Sequence, residues 1–83
     1  MKIVKIFSKT CGPCKVLEKN LQLSKIPYES IDIETSEGEE YADKYNIRAL
    51  PTLLLLDGDE LKDSVTGVIN VEAIKYFARD LNK

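Results

Sequence analysis

Apolar positions along this chain recur with two different spacings. Ile3-Val4-Lys5-Ile6-Phe7 is a short apolar run, and residues 2–7 read as a central strand. Residues 12–23 repeat their apolar positions at helical spacing, with Val16, Leu17, Leu21 and Leu23 supplying the apolar side. Ser24 to Pro27 is a connection. Tyr28-Glu29-Ser30-Ile31-Asp32-Ile33 then alternates, with Ile31 and Ile33 inward, as a second strand does. Strand, helix and strand in this order imply a parallel pair with a right-handed crossover.

Thr35-Ser36 offers an N-cap and acids fill the next turn, which predicts a helix from 37 to 45 with Tyr41, Ala42 and Tyr45 inward. The acids Glu37, Glu39 and Glu40 read as a solvated helix start, because calcium loops space their oxygens differently. Leu50-Pro51-Thr52 opens the run Leu53-Leu54-Leu55-Leu56, a strand expected to be covered on both faces. Asp57-Gly58 signals a hairpin. Glu60 to Thr66 returns as an edge strand with Leu61 and Val65 inward, and Gly67 ends it. Asn70 caps a last helix whose Val71, Ile74, Phe77, Ala78 and Leu81 form a core stripe. The order is β-α-β-α-β-β-α, an α/β arrangement without repeats or linkers.

The two cysteines, Cys11 and Cys14, lie where the first strand passes into the first helix. Unpaired N–H groups and the positive end of the helix dipole stabilise an anion there. The thiolate is the reactive form of cysteine, and such a position lowers its pKa. Residues three apart share one side of a helix, so both sulfurs approach closely enough to bond. Cys11 is then the exposed nucleophile, and Cys14, one turn further in, is more buried and acts second. Pro13 suits the first turn, where its missing N–H costs nothing. Gly12 leaves the surface flat for another protein's disulfide.

Half of a zinc site is the alternative reading of two cysteines at this spacing. A structural zinc takes four ligands, and the chain has no histidine and no third cysteine. That leaves a dimer sharing one zinc, or a site completed by carboxylates; no metal is expected. A structural disulfide is the other alternative, although so short a loop adds little stability by chain closure.

At 83 residues the chain, 1–83, is expected to be a single domain at the small end of what supports its own core. Its apolar content of 43% is that of a globular protein, not a disordered one. No run is long enough for a membrane span. Lys2 and Lys5 interrupt the first apolar run, so it does not read as a secretory signal peptide. The expectation is a cytoplasmic monomer, in a compartment where a close cysteine pair is more often catalytic than structural. Net charge is −2 but unevenly placed. Residues 1–25 hold six lysines against Glu18 alone, for +5, and the rest of the chain carries −7. Most of these lysines read as solvated. Lys9, two residues before Cys11, is the exception that would favour a thiolate and acidic partner surfaces, subject to screening by salt. No basic face with interleaved aromatics supports nucleic-acid binding.

Cys11-Gly12-Pro13-Cys14-Lys15, Ile31-Asp32-Ile33, the segment from Lys44 to Leu53 (KYNIRALPTL) and Gly67 before an amphipathic helix together resemble the thioredoxin family, in an order and spacing that cover nearly the whole chain. The length departs from ordinary thioredoxins: the resemblance leaves their N-terminal strand and helix without an expected counterpart in these residues and implies the core shared with glutaredoxins. The resemblance implies a thioredoxin-like, four-stranded mixed sheet flanked by three helices. It also implies a cis bond before Pro51, which would turn the Leu50 backbone toward Cys11 to pair with a substrate segment as an added strand. Gly12, Pro13, Ala49, Leu50, Gly67 and Val68 would form the apolar docking patch beside Pro51. Glutaredoxins commonly use Gly-Gly and a nearby Asp to bind glutathione, where this chain has Gly67-Val68-Ile69-Asn70. Its length and the phrase Phe7-Ser8-Lys9-Thr10 are the features on glutaredoxin's side.

Two residues depart from the family pattern. Thr10 stands where Trp often precedes the first cysteine. Lys5 stands where thioredoxins commonly bury an Asp thought to help deprotonate the second cysteine. Either a buried Lys5 has a lowered pKa and accepts that proton as a neutral amine, or it snorkels to solvent. The resemblance implies a thiol–disulfide oxidoreductase that reduces protein disulfides through Cys11 and Cys14. It would bind no cofactor and would draw electrons from NADPH through a flavoprotein thioredoxin reductase. Alternatives are a glutaredoxin-like reductase recharged by glutathione, a dedicated reductant of one enzyme such as ribonucleotide reductase, an oxidant or isomerase, and a non-catalytic binding module.

Overall fold

The structure is a computed structural model and describes residues 1–81. The chain forms β1 (Lys2–Phe7), α1 (Gly12–Ser24), β2 (Glu29–Asp32), α2 (Ser36–Tyr45), β3 (Thr52–Asp57), β4 (Glu60–Thr66) and α3 (Val71–Phe77). This is the expected order, in a mixed sheet of strand sequence β2-β1-β3-β4. The two most apolar strands take the two central places, because only there are both faces covered.

β1 pairs parallel with β2, Ile6 facing Ile31, and antiparallel with β3, Ile3 facing Leu55 and Val4 facing Leu54. Alternation then divides the interior into two cores. Ile3, Leu53 and Leu55 pack with Leu17 and Leu21 of α1 and with Ile74 and Phe77 of α3. Val4, Ile6, Ile31, Leu54 and Leu56 form the second core, closed by Tyr41 and Tyr45 of α2 and by Ile33, Ile47 and Leu50. Helices α1 and α3 thus cover one face of the sheet and α2 the other.

The helix ends follow local chemistry. Thr35 caps α2 by accepting a hydrogen bond from the Gly38 N–H, and Asn70 caps α3 by accepting one from the Ala73 N–H. Lys25 and Asn46 close α1 and α2 in the left-handed conformation. Gly58 takes positive φ in the β3–β4 turn, as a tight hairpin requires.

Three expectations are corrected. Val16 and Leu23 are 51% and 60% exposed, and α1 instead buries Cys14, Leu17, Leu21 and Ser24. Positions 16 and 23 are seven apart and share a face, but it is the face opposite the buried one. Leu61 is also exposed. A bulge lets Asp63 pair with Leu55 while Leu61 pairs with Leu56, so Leu61 and Val65 fall on opposite faces of β4. Finally, α3 ends at Phe77; residues 78–81 continue as turn, with Ala78 buried in the core and Leu81 packed against it.

Gly38 is buried in the first turn of α2 against the chain that leaves β2. A Cβ there would collide with the Asp32 carbonyl and the Ile33 backbone. Backbone cannot step aside as a side chain can, so Gly38→Ala is expected to lower stability by about 1–3 kcal/mol, the usual cost of overpacking. Urea unfolding reads this as a lower midpoint with an unchanged slope.

Candidate active site

Cys11 is the N-cap of α1. Its backbone is extended, its N–H donates to the Ser8 carbonyl at 3.2 Å, and its Sγ accepts from the Cys14 N–H at 3.1 Å. The two cysteines form a disulfide, with Cα atoms 5.3 Å apart. Cys11 is half-buried and Cys14 is 2% exposed, so the accessible and enclosed sulfurs fall as the helical spacing predicts. No acid occupies the first turn of α1 to compete for its unpaired N–H groups. Among the described residues, no three His, Cys, Asp or Glu side chains gather as a metal site would require.

The expected docking segments meet at the same end of the sheet. Ile6 pairs with Thr52, and Thr52 with Thr66, so the chain leaving β1, the chain entering β3 and the chain leaving β4 share one edge. The Leu50–Pro51 bond is cis, as the family resemblance implies. Pro51 is fully buried, and its carbonyl accepts the Gly67 N–H at 2.8 Å. Thr52 Oγ1 donates to the Ala49 carbonyl at 2.7 Å, which holds the turn before β3. Asn20 Nδ2 of α1 donates to the Ile69 carbonyl at 3.0 Å and ties the segment after Gly67 to the cysteine helix. Gly12, Pro13, Ala49 and Val68 are exposed, while Leu50 and Gly67 are half-buried.

Lys5 does not snorkel. It is 2% exposed, with Nζ 3.6 Å from Glu18 Oε2 and 4.7 Å from the centre of the Phe7 ring. Burial pushes its pKa below the ordinary lysine value, and the Glu18 carboxylate opposes that shift. Lys5 and Cys14 both line a half-open pocket of about 230 Å³, together with Phe7, Ser8, Lys9, Lys15 and Glu18. Lys9 itself is exposed at the rim. Glu18 and Asn20 were not singled out from the sequence. The signal for Glu18 is its position one turn after Cys14 on the same side of α1.

A sequence profile of the thioredoxin family matches residues 1–80. The chain belongs to the thioredoxin family. It is 31% identical over 77 residues to thioredoxin M4 of Arabidopsis thaliana, a chloroplastic protein, covering 88% of this chain and 40% of that one. It is likewise 31% identical to the chloroplastic thioredoxin-like protein CITRX of the same plant, over 76% of this chain and 37% of the relative. The chain therefore spans about two-fifths of the length of the curated relatives it matches. Among solved structures, Plasmodium falciparum thioredoxin superposes with a TM-score of 0.70 at 28% identity, over 94% of this chain and 82% of that one. A mutant thioredoxin from Halobacterium salinarum gives 0.81 at 25%, over 98% and 74%. The cytoplasmic expectation is overturned by these findings, because the curated relatives are chloroplastic proteins. It rested on the lack of a secretory signal, which says nothing of organelle import, since transit peptides are amphipathic and read differently.

The buried Lys5 has a measurable consequence for stability. Its pKa is lowered on folding, so the unfolded chain holds a proton that the folded chain has released between the lowered and the ordinary value. Stability therefore rises with pH across that window. Below the window the buried charge is a net cost; above it the cost is gone. Lys5→Met keeps an unbranched apolar stem and removes the charge, while the half-exposed Glu18 left behind stays hydrated. The variant is expected to unfold at a higher urea midpoint than the parent at neutral pH and to lack the alkaline rise. Parallel pH profiles for the two proteins would show that Lys5 does not titrate differently on folding.

Proposed function

We propose that the chain is a thiol–disulfide oxidoreductase that reduces disulfides of other proteins. The observation that carries this reading is the Cys11–Cys14 disulfide at the start of α1, with one sulfur accessible and the other enclosed. In the reduced protein, the Cys11 thiolate attacks one sulfur of the target disulfide. The electron pair of that bond leaves on the second target sulfur, which becomes a thiol. Cys14 then attacks Cys11, breaks the mixed disulfide and releases the target sulfur that Cys11 had attacked, as the other thiol. Two electrons have passed to the target, and the Cys11–Cys14 disulfide has formed.

The cap geometry supports the first step. A thiolate at Cys11 keeps the Cys14 N–H as a donor and adds the charge that the helix N-terminus favours. Gly12, Pro13, Ala49, Leu50, Gly67 and Val68 supply a low, mostly apolar surface at the same end of the sheet, beside the buried Pro51. Backbone groups of Leu50 would pair with the main chain of an extended target segment, which holds many sequences with little selectivity. The partners are thus disulfide-bearing proteins, together with a flavoprotein thioredoxin reductase that restores the dithiol with NADPH.

Serine replacements test the order of attack. Cys11→Ser is expected to abolish reduction of a disulfide protein such as insulin. Cys14→Ser is expected to retain the first step and accumulate a mixed disulfide through Cys11, visible by non-reducing electrophoresis and reversed by dithiothreitol. If Cys11→Ser instead traps targets through Cys14, the assigned roles are reversed. If reduction survives loss of both thiols, the oxidoreductase reading fails.

A further inference from the structure

Resolution by Cys14 poses a problem of proton placement. The thiol must lose its proton to attack Cys11, yet at 2% exposure water cannot readily receive it. Cys14 lines the half-open pocket of about 230 Å³ that Lys5 and Glu18 also line. That volume exceeds the roughly 30 Å³ taken up by one water in the liquid, so a short bridge between Sγ and Nζ has room. Lys5 is the one buried charged residue among those described. Its amine lies 3.6 Å from a Glu18 carboxylate that is itself 44% exposed. The pocket therefore brings together an enclosed thiol and an amine whose partner reaches solvent.

We propose that Lys5 accepts the Cys14 proton across this cavity during resolution, and that Glu18 is the positioning residue that holds the amine there and links it to water. The inference rests on the reading of Cys14 as the resolving thiol. In the step, the Cys14 S–H bond breaks and its proton passes to the lone pair of the neutral Lys5 amine. The electron pair left on Cys14 Sγ forms the bond to Cys11 Sγ. The bond from Cys11 to the target sulfur breaks, its pair leaves on the target, and the target thiolate takes up a proton as it departs. The ammonium left at Lys5 returns its proton to solvent past Glu18.

The surroundings suit a base that must be neutral part of the time. Burial lowers the Lys5 pKa and favours the neutral amine, while the Glu18 carboxylate 3.6 Å away works in the opposite direction. The aromatic faces of Phe7 and Tyr28, 4.7 and 5.7 Å from Nζ, receive the ammonium without neutralising it. The titratable groups facing Lys5 are Cys14, Lys15 and Glu18 from α1, Lys9 from the turn after β1, and Tyr28 from ahead of β2. Its neighbours across the sheet, Ser30 and Leu53, carry no charge.

Stopped-flow reaction of the reduced protein with a chromogenic aromatic disulfide separates the two steps. One coloured thiolate is released when Cys11 attacks, at a rate that scales with reagent. A second is released when Cys14 resolves the mixed disulfide, at a rate independent of reagent. Lys5→Met is expected to leave the first phase unchanged and to slow the second about 100-fold near neutral pH, the lower end of what a positioned acid–base group contributes. Lys5→Arg keeps a cation that cannot accept a proton, and its second phase is expected to be slow as well. Glu18→Gln, at a half-exposed site, removes the group that raises the Lys5 pKa and is expected to move the rising limb of the second phase to lower pH. A second phase in Lys5→Met or Lys5→Arg as fast as in the parent would overturn the proposal. So would an unmoved pH profile in Glu18→Gln. Absence of the first phase in the parent protein is a different failure, which would overturn the oxidoreductase reading and this inference with it.

Discussion

The antiparallel pairing of β1 with β3 is the constraint on which the remaining structure depends. Ile3, Val4, Ile6, Leu53, Leu54 and Leu56 are all within 1% of complete burial, and they belong to these two strands alone. Burying one such side chain stabilises the fold by about 1.5–3 kcal/mol. The helices cannot compete with that on their own. They are 13, 10 and 7 residues long, where isolated helices shorter than about 12–15 residues are marginal in water. They form because the two faces of the central pair offer them apolar surface. The division of labour follows, with α1 and α3 on one face and α2 on the other.

The same register builds the site. Opposing Ile6 to Thr52, and Thr52 to Thr66, brings the cysteine turn to the same end of the sheet as the Leu50–Pro51 bond, about 40 residues further along the chain, and Gly67, about 55 residues further. It also decides the company Lys5 keeps. Lys5 pairs with Leu53, whose side chain faces α1, so the amine points toward Cys14 and Glu18. A slip of one residue would send it to the α2 face, among Tyr41 and Tyr45, and leave Cys14 without it. Two hydrogen bonds then secure the edge, from Gly67 to Pro51 and from Asn20 to Ile69.

Charge and burial pull against each other at Lys5. A charged amine in the core costs stability, and here it is offset by one half-exposed carboxylate and two aromatic faces. Such a cost is commonly found where a group serves a reaction rather than the fold. Val16 and Leu23 show the reverse, apolar residues on the outer face of α1 with no core to enter. Singly exposed apolar side chains of this kind are ordinary on a protein surface.

The order of the elements, the caps at Thr35 and Asn70, the turn at Gly58 and the cysteine pair at a helix start were all legible in the sequence, because each rests on neighbours within a turn or a strand. The burial of Cys14 relative to Cys11 was legible for the same reason. What the sequence left open was settled by contacts between distant segments. Which side of α1 is buried depends on where the sheet lies, so Val16 and Leu23 counted as core by local spacing and are not. The bulge that turns Leu61 outward exists only in the pairing of β4 with β3. Gly38 is required by the approach of Asp32, which no local pattern shows. Lys5 read more readily as snorkelling than as buried, since a lysine in a strand has the length to reach solvent, and the structure overturns that reading. Only the closing of α1 over β1 decided that its amine stays inside, 3.6 Å from Glu18 and in the pocket that Cys14 also lines.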